Sequence, residues 1–244
     1  MHRRAAGLLI TLLASPAALP LLAQAAPTRL VLGTYADAVQ AEVGEGVLRE
    51  AYRRLGITIE VQRLAGDVAL GRSAAGEVDG DILRVDGISE SFPDLVQVPI
   101  PVTYIEVAVY SRDSVIRALD WRDIEGLRVA TVRGLMALER SVGDLRVRLV
   151  DTFAELYPLL ATGQVDAIVA PVDQTELAMA RGTRRLVRGD LLGTFLLYHY
   201  LNRRHAALVP RIEPVLKAML LDGTTARIRQ TTEARLRSGA VVRR

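Results

Sequence analysis

The chain has 244 residues, half of them hydrophobic, with a formal net charge of +3 and no cysteine. The lack of cysteine excludes disulfides, thiol catalysis and thiolate metal sites. Two of the positive charges, Arg3 and Arg4, lie at the extreme N-terminus, and without them the balance is +1. The composition therefore gives no case for binding nucleic acid or anionic lipid.

The first 25 residues have the pattern of a secretory signal. Two arginines precede a mostly apolar run from Ala5 to Ala23, and the segment closes with Ala-Gln-Ala at Ala25. A positive start, an apolar stretch and small residues at the end are typical of a cleaved signal peptide. A membrane anchor is the alternative, but Pro16 and Pro20 would break a spanning helix. We therefore expect cleavage near Ala25 and a periplasmic protein, with no later segment able to span a membrane.

One short sequence motif, Gly-x-Val-Asp followed by apolar residues, occurs twice in the chain. Residues 76–82 read GEVDGDI and residues 163–168 read GQVDAI, and each copy follows a helical stretch with Leu and Ala on one face. The glycine predicts the end of a helix, and the apolar run after the aspartate predicts a short buried parallel strand. Two such units in one chain indicate two similar α/β lobes with a cleft between them.

The remaining pattern alternates strands and helices. Strands are predicted over 28–33, 58–63, 80–85, 105–110, 128–132, 146–150, 167–170 and 191–200, with 96–101 extended by its prolines. Helices are predicted over 46–55, 68–75, 153–162, 173–181, 210–221 and 224–236. Gly56 is predicted to cap the first helix, Asp173 to be the N-cap of its own helix, and Arg133 and Gly134 to turn the chain into a further short helix.

Six segments in this order resemble a known family. They are 44–64, 76–82, 92–112, 123–134, 159–170 and 201–228. Together they are similar to periplasmic solute-binding proteins of the amino-acid-binding type (bacterial extracellular solute-binding protein family 3), the substrate-binding components of ABC importers.

The resemblance implies an α/β, two-lobed periplasmic binding protein fold of type II with two hinge strands. Residues 26–107 with 198–244 would form one lobe, and residues 108–197 the other. The implied function is binding of a small polar or anionic solute, such as an amino acid or a related carboxylate, rather than catalysis. The implied partners are the solute and an ABC permease or a membrane sensor; we expect a monomer that needs no cofactor.

The chain departs from the family at the positions that usually hold an amino acid. The stretch from Val85 to Leu95 contains Ser89 and Glu90 but no arginine to clamp a carboxylate. Gly134 is followed by Leu135 and a methionine rather than by threonine, and the usual acid for the amino group is replaced by Ala170 or Pro171. The fold of the family is therefore predicted without its usual clamp.

Two residues of the first lobe are candidates for ligand binding. Arg84 ends a predicted strand, at the sheet edge where α/β proteins bind ligands, and its guanidinium could fork onto a carboxylate or phosphate. The alternative is that Arg84 pairs with Asp81 or Asp86 and only holds the loop. Tyr35 follows the first strand and could stack on a ligand, or else pack at the edge of the cleft.

Four candidates lie in the second lobe. Gly134 would let backbone N–H groups approach an anion, Arg133 would add positive charge there, and Leu135 adjoins them. The alternatives are a plain turn glycine and a solvated arginine. Asp173 is either a ligand-binding acid or simply a helix cap.

Two other functions remain open at the sequence level. A secreted dehydratase of the cyclohexadienyl type would use the same fold, with Arg84, Glu90 and Asp173 converging in the cleft. A degenerate scaffold that binds nothing is the other possibility. We predict no metal site, because His199 and His205 have no second ligand at metal spacing.

Overall fold

The computed structural model describes residues 27–118, 120–135, 138, 146–183 and 185–239. Its strands are β1 Arg29–Tyr35, β2 Thr58–Leu64, β3 Gly80–Arg84, β4 Leu95–Ser111, β5 Val129–Val132, β6 Val147–Val150, β7 Ala167–Pro171 and β8 Val187–Asn202. Its helices are α1 Val39–Arg54, α2 Gly66–Ala74, α3 Ile88–Ser91, α4 Phe153–Ala161, α5 Val172–Ala180, α6 Val209–Leu221 and α7 Thr224–Arg237.

The strands of the described residues form a sheet in the order β2-β1-β3-β8-β4-β7-β5-β6. At one end β1 is parallel to β2 and β3, and at the other end β5 is parallel to β6 and β7. Between these parallel groups lie β4 and β8, which are antiparallel to each other and to their outer neighbours. Two α/β lobes are therefore joined by two long central strands, as the resemblance to the family implies.

The two central strands are the hinge of the fold. They run for 17 and 16 residues, long enough to pass from one lobe to the other. Their pairing slips between Gln97 and Thr103, and again after Val107. Such irregularities interrupt the hydrogen-bond ladder and bend the strands locally. These are the points at which a change of lobe angle can be absorbed.

Two apolar clusters of buried residues pack against the sheet. In the first lobe, Leu30 and Leu32 of β1 join a cluster with Val47 and Leu48 of α1, all fully buried. In the second, β7 and α4 meet in a separate cluster that includes Leu156 of α4. Burying one such leucine contributes about 1.5–3 kcal/mol. The first cluster continues past the hinge strands to Val129 of β5 and Val169 of β7, so apolar contacts also connect the two lobes.

The repeated Gly-x-Val-Asp motif has the same structural role in both lobes. Gly76 and Gly163 end α2 and α4 in the left-handed conformation, with φ of 74° and 75°. The aspartate of each copy accepts a hydrogen bond from the backbone of the neighbouring parallel strand: Asp79 from within β1, and Asp166 from the residue just before β5. Asp79 Oδ2 accepts from Val31 at 2.6 Å, and Asp166 Oδ2 accepts from Arg128 at 2.9 Å. The duplication therefore ties helix, turn and parallel strand together twice.

Several element boundaries differ from the prediction. The first helix begins at Val39 rather than at residue 46, and the extended segment 96–101 and the strand 105–110 belong to one strand, β4. Gly56 follows that helix with φ +72, as predicted. The prediction that Asp173 caps its helix is wrong, because α5 begins at Val172 and Pro171 is its N-cap. The short helix predicted after Gly134 lies outside the described residues apart from position 138.

Among the helices of the described ranges, none is both long enough and apolar enough to cross a membrane.

Candidate functional site

A cleft lies between the two lobes, beside the hinge. It is partly open to solvent, and the space inside it that a water-sized molecule can reach is small, about 60 Å³. The first lobe contributes the ends of β1 and β3 and the start of α1, and the second lobe the segment after β5 and the start of α5. Its lining residues are Thr34, Tyr35, Ala38, Val39, Gln40, Ala41, Leu83, Arg84, Val85, Ile105, Gly134, Leu135, Phe153, Pro171, Asp173, Gln174 and Leu197.

Arg84 reaches the wall of this cleft as half of a buried ion pair. Its Nη2 and Nε atoms lie 2.7 Å and 2.9 Å from Oδ2 of Asp81, and the two side chains are 3% and 0% exposed. The ring of Tyr35 covers the guanidinium, with its centroid 4.6 Å from Cζ. Burial lowers the pKa of Arg84, but the contacts with Asp81 and Tyr35 raise it by more, so the net shift is upward. The arginine is therefore charged and already bound to its own acid.

A β-bulge makes this pairing possible. Residues three apart on a regular strand point to opposite faces of the sheet. Between Asp81 and Arg84, β3 has one residue more than β8 has between Tyr200 and Tyr198. The extra residue brings both side chains to the same side of the strand.

A buried histidine supports the ion pair from the core of the first lobe. His199 Nδ1 lies 2.8 Å from the backbone oxygen of Asp81, and its Nε2 lies 2.8 Å from the hydroxyl of Tyr52. The backbone oxygen can only accept, so Nδ1 carries the proton and Nε2 accepts from the tyrosine. Burial lowers the pKa of His199 to about 4, which keeps the ring neutral at pH 7.

Asp173 contributes an acid from the second lobe and contacts the first lobe directly. Its carboxylate accepts hydrogen bonds from the side-chain amide of Gln40 and, at 2.8 Å, from the backbone N–H of Gln174. Gln40 accepts in turn from the hydroxyl of Thr103 at 2.7 Å, which itself accepts from Arg229 at 2.9 Å. Burial raises the pKa of Asp173, and the bond from Gln40 opposes that shift. This chain links α7, the hinge, α1 and α5.

Gln174 joins the lobes a second time. Its Oε1 accepts a hydrogen bond from the backbone N–H of Val39 at 2.9 Å, and its Nε2 donates to the backbone oxygen of Asp37 at 3.1 Å. Val39 is the first residue of α1, and Ala38 before it supplies no side-chain cap. The first helix of one lobe is therefore capped by an amide of the other lobe.

The cleft brings together most of the residues predicted from the sequence. Tyr35, Arg84, Gly134, Leu135 and Asp173 line it. Arg133 does not, because its exposed guanidinium turns away to Asp151, with 3.1 Å between Nε and Oδ1.

The residues that sequence reasoning missed are Gln40, Thr103 and Gln174. Gln40 and Gln174 each stand in the first turn of a helix at the sheet edge where the lobes meet. That position is the signal that could have identified them once both helix starts were known. Glu90, the acid of the dehydratase hypothesis, is exposed on α3 and is not a lining residue.

No group of three or more metal-binding side chains occurs within the described part of the chain.

Comparison with known proteins identifies the class of fold. A histidine kinase sensor domain with similarity to periplasmic binding proteins is 21% identical, with a TM-score of 0.68 over 84% of this chain and 96% of that one. The amino acid ABC transporter substrate-binding protein AbpA from Streptococcus pneumoniae, bound to L-arginine, is 13% identical, with a TM-score of 0.68 over 86% and 96%. The GluR0 ligand-binding core with L-glutamate is 14% identical, with a TM-score of 0.71 over 83% and 97%.

These likenesses confirm the fold that the resemblance in the sequence implies. The chain has the two-lobed fold of periplasmic binding proteins, and it covers nearly the full length of the three similar structures. No protein-family model and no curated protein sequence matches the chain.

Proposed function

We propose that this protein is a periplasmic solute-binding protein whose two lobes close on a small molecule. The observation that carries this proposal is the cleft between the lobes, which is lined from both sides and lies beside the two hinge strands. A ligand in such a place contacts both lobes only when they are closed, so its binding energy favours the closed form.

The same proposal divides the chain into a signal peptide and two lobes. Residues 26–107 with 198–244 form the first lobe, residues 108–197 form the second, and residues 1–25 are the signal peptide. The closed surface is recognised by an ABC permease or by a membrane sensor. Solved structures with this fold include an ABC transporter substrate-binding protein and a histidine kinase sensor domain, which supports both kinds of partner.

A scaffold without a ligand is the second candidate function. It is favoured by the direct hydrogen bonds that Gln174 and Asp173 make across the cleft. These bonds hold the lobes together through the protein's own groups. The dehydratase hypothesis has less support, because Glu90 does not reach the cleft where Arg84 and Asp173 lie.

Thermal unfolding of residues 26–244 tests the proposal. The panel consists of amino acids, small carboxylates, phosphate esters, polyamines and alkylamines. A ligand at a hundred times its Kd adds about 2.7 kcal/mol to the folded state and raises Tm by several degrees. Such a shift for any compound supports the binding protein, and no shift across the panel supports the scaffold.

A further inference from the structure

The cleft has the wrong electrostatics for a carboxylate. Arg84, the one lining residue with a positive side chain among the described residues, is paired with Asp81 at 2.7 Å. The N-terminus of α1, which would otherwise attract an anion, is capped by Gln174 at 2.9 Å. Arg133 lies outside the cleft with Asp151. Each positive group that could hold an anion is therefore engaged by a group of the protein.

The opposite charge is available. Asp173 lies in the wall, half-buried, and receives hydrogen bonds from the neutral amide of Gln40 and from a backbone N–H. An ammonium group in place of the Gln40 amide would give the carboxylate a charge-assisted hydrogen bond instead of a neutral one. The wall thus offers a site for one cation.

The remaining surface of the cleft is apolar. Val39, Leu83, Ile105, Leu135, Phe153 and Leu197 line it from both lobes and the hinge. About 60 Å³ of the cleft is open to the centres of water-sized molecules. This small space limits the ligand to a compact molecule. A second charge in these surroundings would lose its hydration without a partner.

We propose that the ligand is a compact primary alkylamine, with its ammonium group on Asp173 and its alkyl body among the apolar side chains, and without a carboxylate. This inference rests on the proposed solute-binding function and specifies the ligand class of the same cleft. An aliphatic ammonium group titrates near pH 10.4, so the ligand is a cation at neutral pH. Leu135 and Phe153 would contact its alkyl body.

Isothermal titration of residues 26–244 with 3-methylbutylamine and with leucine tests the proposal, because the two compounds differ only by the carboxylate. The amine should bind and leucine should bind at least about tenfold more weakly, since its carboxylate would be buried without a free partner. 1,5-Diaminopentane, with a second ammonium group, should also bind at least about tenfold more weakly. Leucine binding as tightly as the amine would overturn the amine class and leave solute binding intact.

The variant Asp173→Asn tests the placement of the ammonium group. Asparagine keeps the shape and an acceptor oxygen but removes the charge, so affinity for the amine should fall about tenfold or more. Asp151→Asn in the same lobe, outside the cleft, is the matched control and should bind as the unmodified protein does. Equal affinity in Asp173→Asn would overturn the placement. Should that variant fail to fold, the comparison of amine with leucine still decides. No binding of any amine, amino acid or other panel compound would overturn the binding function as well.

Discussion

Replacing Arg84 with alanine should destabilise the first lobe strongly. The change leaves the Asp81 carboxylate, which is 0% exposed, without its counterion in the core. Removing one partner of a buried ion pair typically costs about 3–5 kcal/mol, a large part of the roughly 5–15 kcal/mol that stabilises a domain. We expect a loss of that size in the free energy of unfolding, measured by urea titration at pH 7.

The pH dependence of this loss identifies its cause. Burial raises the pKa of Asp81, and in the unmodified protein Arg84 opposes the shift. Without Arg84 the folded-state pKa should rise further above the value of about 3.9 in the unfolded chain, so the folded variant binds the extra proton first. The variant should therefore recover stability relative to the unmodified protein as the pH falls, by at most about 1.4 kcal/mol per pH unit.

Two further variants complete the test. Adding Asp81→Asn to Arg84→Ala should restore part of the stability, because a neutral amide needs no counterion. Arg72→Ala is the control, because it removes an ion pair on the surface of the same lobe. The distance from Arg72 Nε to Glu77 Oε2 is 2.9 Å, similar to the distance between Arg84 and Asp81. This control should cost at most about 1 kcal/mol. A comparably small loss in Arg84→Ala would refute the buried-pair account and return Arg84 to a role in ligand binding.

Four other substitutions have clear expected outcomes. The pKa of His199 is about 4 in the folded protein and near 6.5 in the unfolded chain, so about 3 kcal/mol of stability should be lost between pH 6.5 and 4. In urea titrations across this range His199→Gln should flatten that slope, and an unchanged slope would contradict the assignment. A Cβ on Gly80 would lie 2.2 Å from the backbone oxygen of Tyr200, so Gly80→Ala should lower Tm markedly. Gly71→Ala in α2 meets no atom within 4 Å and should leave Tm unchanged or raise it. Gln174→Ala removes the cap of α1, and we expect faster amide exchange at the start of that helix and a larger radius of gyration by X-ray scattering; no change in either would show that the amide does not hold the lobes together.

Local sequence signals identified most strands and helices, and the family resemblance implied their arrangement as two lobes with two hinge strands, but several boundaries were missed. Short apolar runs after Gly-x-Val-Asp identified buried strands because parallel strands are covered on both faces. The hinge strand β4 was divided in two, since Pro99 and Pro101 cannot donate to a ladder. In the structure, the register of β4 against β8 shifts between Gln97 and Pro101 and again between Pro101 and Thr103. These irregularities accommodate the two prolines, and β4 continues through them as one strand.

The first helix begins earlier than the sequence pattern predicts, at Val39. The sequence pattern predicts that this helix starts at residue 46, two positions after Gly44. In the structure Gly44 lies inside α1, where a Cβ would be 2.6 Å from Leu83 Cδ1. The glycine allows α1 to approach β3 closely, which is a property of packing rather than of local conformation. Missing this start also concealed Gln40, the residue that contacts Asp173.

The role of Arg84 could not be deduced from its position at the end of a strand. Strand alternation alone would place Asp81 and Arg84 on opposite faces, and only the bulge brings them together. A bulge depends on the register with β8, more than a hundred residues further along the chain, and leaves no local signature. The same is true of Gln40 and Asp173, which are 133 positions apart.

The sequence lacks the arginine and the acid that usually hold an amino acid in this family, and the structure shows which groups line the cleft in their place. The positive charge that remains is neutralised by Asp81, and the two lobes meet through the amides of Gln40 and Gln174. A carboxylate ligand would have to displace Asp81 from Arg84 or Gln174 from α1, and both exchanges expose a buried partner. An ammonium group would replace the amide of Gln40, which is also buried, but Asp173 would gain a charge-assisted hydrogen bond in exchange for a neutral one. This difference in the charge of the groups displaced is the reason for proposing an amine rather than a carboxylate as the ligand.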